Sequence, residues 1–109
     1  IGEVTYKSEW YDYNSKYNSN NKIIIPAEID SKITKQIKEI SIQSCRALNI
    51  FGFARVDFFL ERSSNKILLN EINTIPGFTK KSMFPMLWKA SGLNIEQLVA
   101  RLVEISLDL

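Results

Sequence analysis

Residues 54–73 read ARVDFFLERSSNKILLNEIN, two alternating runs on either side of a polar segment. In 54–61 and again in 67–73, polar and apolar residues alternate, as is typical of strands with one buried face. The segment 62–66 between them is rich in turn-forming residues. We therefore predict an antiparallel hairpin. With its turn centred near Ser64, Asp57 faces Glu71 and Arg55 faces Asn73.

The two faces of this hairpin differ in chemistry, because neighbouring side chains on a strand point to opposite sides. Two facing carboxylates repel unless a proton or a cation lies between them, and two acids with an amide oxygen suit Mg²⁺. An alternative is that this face is simply the solvated side of a half-buried hairpin with charge pairs. Spacing alone leaves both interpretations open. The side chains expected on the acidic face are Arg55, Asp57, Phe59, Leu69, Glu71 and Asn73.

The segment after the second strand favours a functional site. Residues 73–77 read NTIPG, a rigid Pro-Gly turn directly beyond the acidic residues. Glycine allows a backbone N–H to approach a ligand closely. An N–H group and the Arg55 guanidinium directed at one point would form an oxyanion site.

The remaining segments predict an α+β fold. Residues 1–7 and 22–25 are read as strands, the second one buried, and 8–21 as a long aromatic loop. A helix is predicted over 31–48, with Asp30-Ser31 as its N-cap and Asn49 at its end. A short helix follows near Ser82 and ends at Gly92, and a last helix begins at Asn94 with Gln97 completing a capping box.

Composition excludes several functional classes. The 109 residues have a net charge of +2, which does not support a nucleic-acid surface, and they suit one domain or a piece of a larger protein. With no histidine and only Cys45, His-dependent triads, disulfides and Cys-type zinc sites are excluded. No apolar run approaches the ~20 residues of a membrane span. We expect a cytoplasmic protein with no membrane partner. The start at Ile1 suggests a chain cut from a longer polypeptide.

Three segments, GFARVDFFLE (52–61), LLNEINTIPGFTKKSMFPMLWKASG (68–92) and EWYDYNSKY (9–17), resemble the C-terminal part of D-alanine:D-alanine ligases. These enzymes belong to the ATP-grasp superfamily, and the likeness covers nearly the whole chain in the expected order. The resemblance implies an ATP-grasp C-terminal subdomain, an antiparallel sheet packed with helices. It also implies ATP-dependent joining of two D-alanines through a D-alanyl phosphate, for peptidoglycan synthesis.

The resemblance also implies roles for individual residues. The ligands of two Mg²⁺ ions, for which Mn²⁺ could substitute, would be Asp57, Glu71 and Asn73, with Glu71 bridging. Arg55 and the Gly77 N–H would stabilise the tetrahedral centre that forms when the amine of the second D-alanine attacks the acyl phosphate. Lys16 would reach the transferred phosphate or the carboxylate of the second D-alanine, and Tyr17 would help close the loop over the substrates. Ser82 and the adjacent Met83 would bind the second D-alanine. Phe59 and Asn70 would contact the nucleotide.

Each loop or helix-end residue also has an ordinary structural interpretation. Lys16 and Tyr17 could be a solvated lysine and a packing aromatic residue. Ser82 could be a plain N-cap, and Met83 a packing residue. Cys45 is interpreted as a small buried residue.

The chain lacks counterparts of the family's N-terminal and central segments, so residues 1–109 are read as one C-terminal ligase domain, a fragment. By itself the fragment is expected to be inactive, because it could form only half of a cleft between domains. Its expected partners are the rest of the ligase chain, D-alanine and ATP, with a homodimer in the full-length enzyme. Two alternatives remain: a ligase that uses D-serine or D-lactate as second substrate, and a non-catalytic binding module with the same fold.

Overall fold

The computed structural model describes residues 1–5 and 22–109 of the chain. Within them, strands and helices are mixed and the strands form two antiparallel two-stranded sheets, which confirms the α+β prediction. The predicted loop 8–21, with Lys16 and Tyr17, lies outside the described residues. The elements are β1 (Glu3–Thr5), β2 (Lys22–Ile24), α1 (Ser31–Ala47), β3 (Arg55–Glu61), β4 (Lys66–Asn73), α2 (Met83–Ala90) and α3 (Ile95–Leu107).

Strands β3 and β4 form the predicted hairpin. Arg55 is paired with Asn73 and Asp57 with Glu71, in the register expected from the alternation. Beyond Asp57 the register shifts by one residue, so that Phe58 is opposite Leu69. The prediction that Leu69 shares the acidic face is therefore wrong, because the shift turns it to the side of Phe58.

Strands β1 and β2 form the second sheet, with Glu3 opposite Ile24 and Thr5 opposite Lys22. The prediction of a buried strand here is wrong, because Ile23 is 48% exposed. Glu3 connects this sheet to the hairpin turn: its carboxylate accepts a hydrogen bond from Arg62 at 3.1 Å. The other oxygen of Glu3 accepts from the Glu28 N–H at 3.3 Å.

Helix α1 begins and ends at the signals present in its sequence. The Asp30 carboxylate accepts from the Lys32 N–H at 2.7 Å and caps the first turn. At the other end Asn49 has φ +52°, a left-handed conformation that asparagine tolerates better than most residues. Ile33 and Ile37, one turn apart on the same face, are each 8% exposed and form the buried side of the helix.

Helices α2 and α3 are joined by a tight connection. Gly92 has φ +101°, a left-handed backbone conformation that is unfavourable for residues with a side chain. It follows the end of α2, as predicted. Asn94 then opens α3 with both bonds of a capping box, its side chain accepting from the Gln97 N–H at 2.9 Å. Leu98 on this helix is 2% exposed.

Phe84 is the centre of the aromatic packing in the described part of the chain. It is 3% exposed, and its ring centroid lies 5.7 Å from that of Phe53, 6.1 Å from Phe78 and 6.5 Å from Trp88. These rings join the approach to β3, the connection after β4 and α2 into one cluster. The cluster therefore fixes the segment after the hairpin against α2.

Among the described helices, none has the length and apolar character required to cross a membrane.

Candidate functional site

The acidic face of the hairpin carries a compact group of charged side chains. Arg55 and Asp57 are two residues apart on β3 and therefore point to the same side. Nε and Nη2 of Arg55 each donate to one carboxylate oxygen of Asp57 at 2.8 Å, a bidentate pair. The Glu71 Oε1 atom lies 3.5 Å from Arg55 Nη2. One guanidinium thus interacts with both facing carboxylates.

This arginine was predicted to be an oxyanion donor, but its pairing with Asp57 was not anticipated. The signal was present in the sequence, since side chains at positions i and i+2 of a strand are neighbours on one face. The charge pair agrees with the alternative interpretation of the hairpin as a solvated face. The same contacts place one cationic group between the two carboxylates, so the metal interpretation stays a prediction.

Asn73 lies opposite Arg55 at the end of β4, on the acidic face as predicted. Its side-chain Oδ1 accepts from the Ile75 N–H at 3.0 Å, which begins the turn that leads to Gly77. The amide oxygen therefore links the acidic face to the following turn.

The donor set suits a hard cation. Asp57, Glu71 and Asn73 contribute oxygen atoms on one face, and oxygen is the ligand that Mg²⁺ prefers. A carboxylate oxygen has about two acceptor positions, so one bond from Arg55 leaves acceptor capacity. Within residues 1–5 and 22–109, no group of three His, Cys, Asp or Glu side chains could hold a metal ion. Two carboxylates and an amide would therefore need water or phosphate oxygens to complete a magnesium shell.

The segment between β4 and α2 folds back on itself. Ser82 is the N-cap of α2, but its hydroxyl makes no capping bond to the helix. Instead, Ser82 Oγ accepts from the Thr79 N–H at 3.0 Å and lies 2.8 Å from Thr79 Oγ1. Ser82 therefore occupies the N-cap position, as in the ordinary interpretation, but its hydroxyl does not cap the helix.

Gly77 leaves little room for a side chain. A Cβ built on Gly77 would lie 3.0 Å from Ser82 Oγ, a tight contact that the Ser82 side chain would have to relieve by moving a few tenths of an ångström. The backbone of Gly77 and the hydroxyl of Ser82, which were predicted to act on the same substrate, are therefore direct neighbours.

Met83 follows Ser82 and is half-buried. A Cβ built on Gly2 would lie 2.9 Å from its Cε and 2.8 Å from Leu87 Cδ2, so the start of the chain passes directly over α2. This position agrees with the packing interpretation of Met83, and its assignment to the substrate pocket stays a prediction.

Phe59 and Asn70, predicted to contact the nucleotide, are both accessible. Phe59 is 58% exposed and shares the strand face of Asp57. Asn70 is exposed and is the residue skipped where the register shifts, so its side chain is not paired across the hairpin.

Comparison with known proteins extends this description. Residues 1–104 match the family model described as D-ala D-ala ligase C-terminus. A D-alanine–D-alanine ligase of Prochlorococcus marinus (strain AS9601) is 88% identical over 109 residues, which is 100% of this chain and 31% of that protein.

Solved structures agree with the sequence relatives. The VanG D-Ala:D-Ser ligase of Enterococcus faecalis has a TM-score of 0.80 at 39% identity, covering 95% of this chain and 30% of that one. The D-alanine–D-alanine ligase of Bacillus anthracis complexed with ATP has a TM-score of 0.80 at 26% identity, covering 98% of this chain and 35% of that one. The chain thus spans about a third of the length of these relatives, and it belongs to the D-alanine–D-alanine ligase C-terminal family.

Proposed function

We propose that this chain is the C-terminal catalytic part of an ATP-dependent D-alanine:D-alanine ligase, which forms D-alanyl-D-alanine for peptidoglycan through a D-alanyl phosphate. The observation that carries the proposal is the face on which Arg55 contacts both Asp57 and Glu71, directly before the turn that brings Gly77 against Ser82. This arrangement combines a cation site with donors for developing negative charge.

Asp57, Glu71 and Asn73 are the residues that would hold Mg²⁺, with two ions and a bridging Glu71 as the finer assignment. Bound there, the metal would neutralise negative charge on the terminal phosphates of ATP during phosphoryl transfer. The ATP complex of the Bacillus anthracis relative supports ATP as the phosphoryl donor.

Arg55 and the Gly77 N–H would stabilise the tetrahedral centre that forms when the amine of the second D-alanine attacks the acyl phosphate. The bidentate contact with Asp57 supports this role for Arg55, because it fixes the plane and direction of the guanidinium before substrate arrives. A group that is already oriented needs little reorganisation during the reaction.

Ser82 would donate to the carboxylate of the second D-alanine, with the start of α2 adding favourable N–H dipoles. Met83 would border the same pocket. Phe59 would lie against the adenine and Asn70 would contact the nucleotide. Lys16 and Tyr17 would close the loop over the substrates, with Lys16 near the transferred phosphate.

The isolated chain should not catalyse the ligase reaction. The groups that would hold the first D-alanine and most of the nucleotide belong to the other two thirds of the relatives' length, and orientation of both reactants can lower a barrier by ~7–11 kcal/mol. We therefore read residues 1–109 as one ligase domain whose main partner is the rest of a ligase chain.

The experiment uses a chimaera in which these 109 residues replace the matching 31% of the Prochlorococcus marinus ligase. The chimaera should release phosphate from ATP in the presence of D-alanine and produce D-alanyl-D-alanine, measured by a phosphate assay and chromatography. The isolated 109-residue chain is the comparison and should be inactive. A chimaera that is folded and inactive with D-alanine, D-serine and D-lactate would refute the proposal, as would robust turnover by the isolated chain.

A second candidate is a D-alanine:D-serine ligase, favoured by the likeness to the VanG enzyme at a TM-score of 0.80. Discrimination between such small acceptors needs only a few contacts. Competition between D-alanine and D-serine in the chimaera separates the two: D-alanyl-D-serine as the main product would keep the chemistry and change the substrate.

Two further assignments follow from this function. A ligase that consumes ATP for a peptidoglycan precursor is expected to work in the cytoplasm. The full-length enzyme is expected to be a homodimer, which light scattering of the chimaera would test.

A further inference from the structure

We infer that Thr79 is a positioning residue that makes the Ser82 hydroxyl a hydrogen-bond donor toward the carboxylate of the second substrate. The inference rests on the proposed function, which places that carboxylate at Ser82. It adds a residue to which the sequence motifs assigned no role, and it starts from the two contacts between Thr79 and Ser82.

The first contact has a fixed direction. A hydroxyl has one proton to donate and two acceptor positions. The Thr79 N–H can only donate, and it lies 3.0 Å from Ser82 Oγ, so it occupies one acceptor position of that oxygen. The Ser82 N–H in turn donates to the Thr79 carbonyl oxygen at 3.0 Å, which closes the turn and holds the two residues together.

The second contact can run either way. Thr79 Oγ1 and Ser82 Oγ are 2.8 Å apart, and either hydroxyl could be the donor. If Ser82 donated, its proton would be directed at Thr79, and its oxygen would face an incoming carboxylate with a lone pair. If Thr79 donates, both acceptor positions of Ser82 Oγ are filled and its proton points outward. An anionic substrate selects the second arrangement, because only then does it meet a donor.

The surroundings of Ser82 favour the same arrangement. Its hydroxyl makes no bond to the first turn of α2, so it is not committed to capping that helix. Its Oγ lies against the backbone of Gly77, where a Cβ would approach to 3.0 Å. The contacts with Thr79 and with the backbone of Gly77 therefore limit the directions available to the Ser82 proton. A hydroxyl that already accepts two hydrogen bonds is also polarised into a better donor.

The test compares three variants of the chimaeric ligase. Thr79→Val keeps the side-chain shape and removes the hydroxyl, and Thr79→Ser keeps the hydroxyl. Thr34→Val makes the same change on α1, outside the segment that contains Thr79 and Ser82. In Thr79→Val the KM for the second D-alanine should rise about 3- to 10-fold, as expected for one lost hydrogen bond. The KM values for ATP and for the first D-alanine should stay within about twofold of wild type, well inside that change.

Thr79→Ser and Thr34→Val should both retain the wild-type KM for the second substrate. A purely structural role for Thr79 would change all three KM values and the melting temperature together. If Thr79→Val does not fold, Thr79→Ala takes its place against Thr79→Ser.

The outcomes separate this inference from the proposed function. An active wild-type chimaera whose second-substrate KM is the same in Thr79→Val and Thr79→Ser overturns the role of Thr79 alone. A folded wild-type chimaera that is inactive with D-alanine, D-serine and D-lactate overturns the proposed function, and the role of Thr79 with it. A selective rise in Thr79→Val, restored by Thr79→Ser, supports the inference.

Discussion

Replacing Phe84 by alanine should destabilise the chain more than the same change at any other described phenylalanine. Phe84 is 3% exposed and packs against the rings of Phe53, Phe78 and Trp88. Its removal would leave a cavity between α2 and the two segments that flank the hairpin. A cavity left in a packed cluster usually collapses only in part.

The size of the effect follows from this burial. An aromatic side chain buries ~150–250 Å², which at ~25 cal/mol per Å² corresponds to ~4–6 kcal/mol. Alanine keeps its β-carbon, and the unfolded chain already buries part of this area, which lowers the value. We therefore expect Phe84→Ala to reduce the free energy of unfolding by about 3–5 kcal/mol.

Urea unfolding of the 109-residue chain, followed by far-UV circular dichroism, measures this loss. The matched control is Phe51→Ala, because Phe51 is 71% exposed and should lose less than about 1 kcal/mol. Equal losses in the two variants would refute the assignment of Phe84 as the centre of the core. The assignment would also be supported if the Phe84→Ala chain showed no helical signal and no unfolding transition while the Phe51→Ala chain was folded.

Three further predictions concern the caps and the site. Asn94→Ala removes the side-chain bond to the Gln97 N–H and should cost about 1 kcal/mol of unfolding free energy, visible as a lower urea midpoint; an unchanged midpoint would show that the capping box contributes nothing. Gly77→Ala should displace the Ser82 hydroxyl by a few tenths of an ångström and raise the second-substrate KM of the chimaera about 10-fold, and wild-type kinetics would contradict the close contact. In the chimaera, Asp57→Asn should abolish turnover and weaken the binding of Mn²⁺, which electron paramagnetic resonance measures. An Mn²⁺ affinity equal to that of the wild-type chimaera would remove Asp57 from the metal site.

The paired residues of the site could be predicted because a strand has a strict period of two. Once the alternation of 54–61 and 67–73 is recognised, one register places Asp57 opposite Glu71, and the structure has that register. The helix ends were equally predictable, since Asp30, Asn49, Gly92 and Asn94 act through their own backbone conformation or a bond within three residues.

The shift of register beyond Asp57 could not be predicted from the alternation. Leu68 and Leu69 are consecutive and equally apolar, so either could face the apolar side. In the structure the turn closes with Glu61 opposite Lys66, one residue out of step with the pairing of Arg55 and Asn73. The difference is absorbed as an irregularity near Asn70, because turn geometry sets the register at one end and side-chain packing sets it at the other.

The amino-acid sequence by itself determined the α+β class, the hairpin, the helix boundaries and the family, because each depends on short-range periodicity, on caps or on a run of motifs. Only the tertiary structure decided that Ile23 is half exposed, that Phe84 is the packing centre and that the Ser82 hydroxyl bonds to Thr79 and leaves α2 uncapped. The pair of Arg55 and Asp57 is intermediate, because strand alternation places both side chains on one face and only the structure shows their bidentate contact. Burial and the direction of a hydrogen bond depend on which atoms the folded chain brings within a few ångströms, and local pattern does not specify those neighbours.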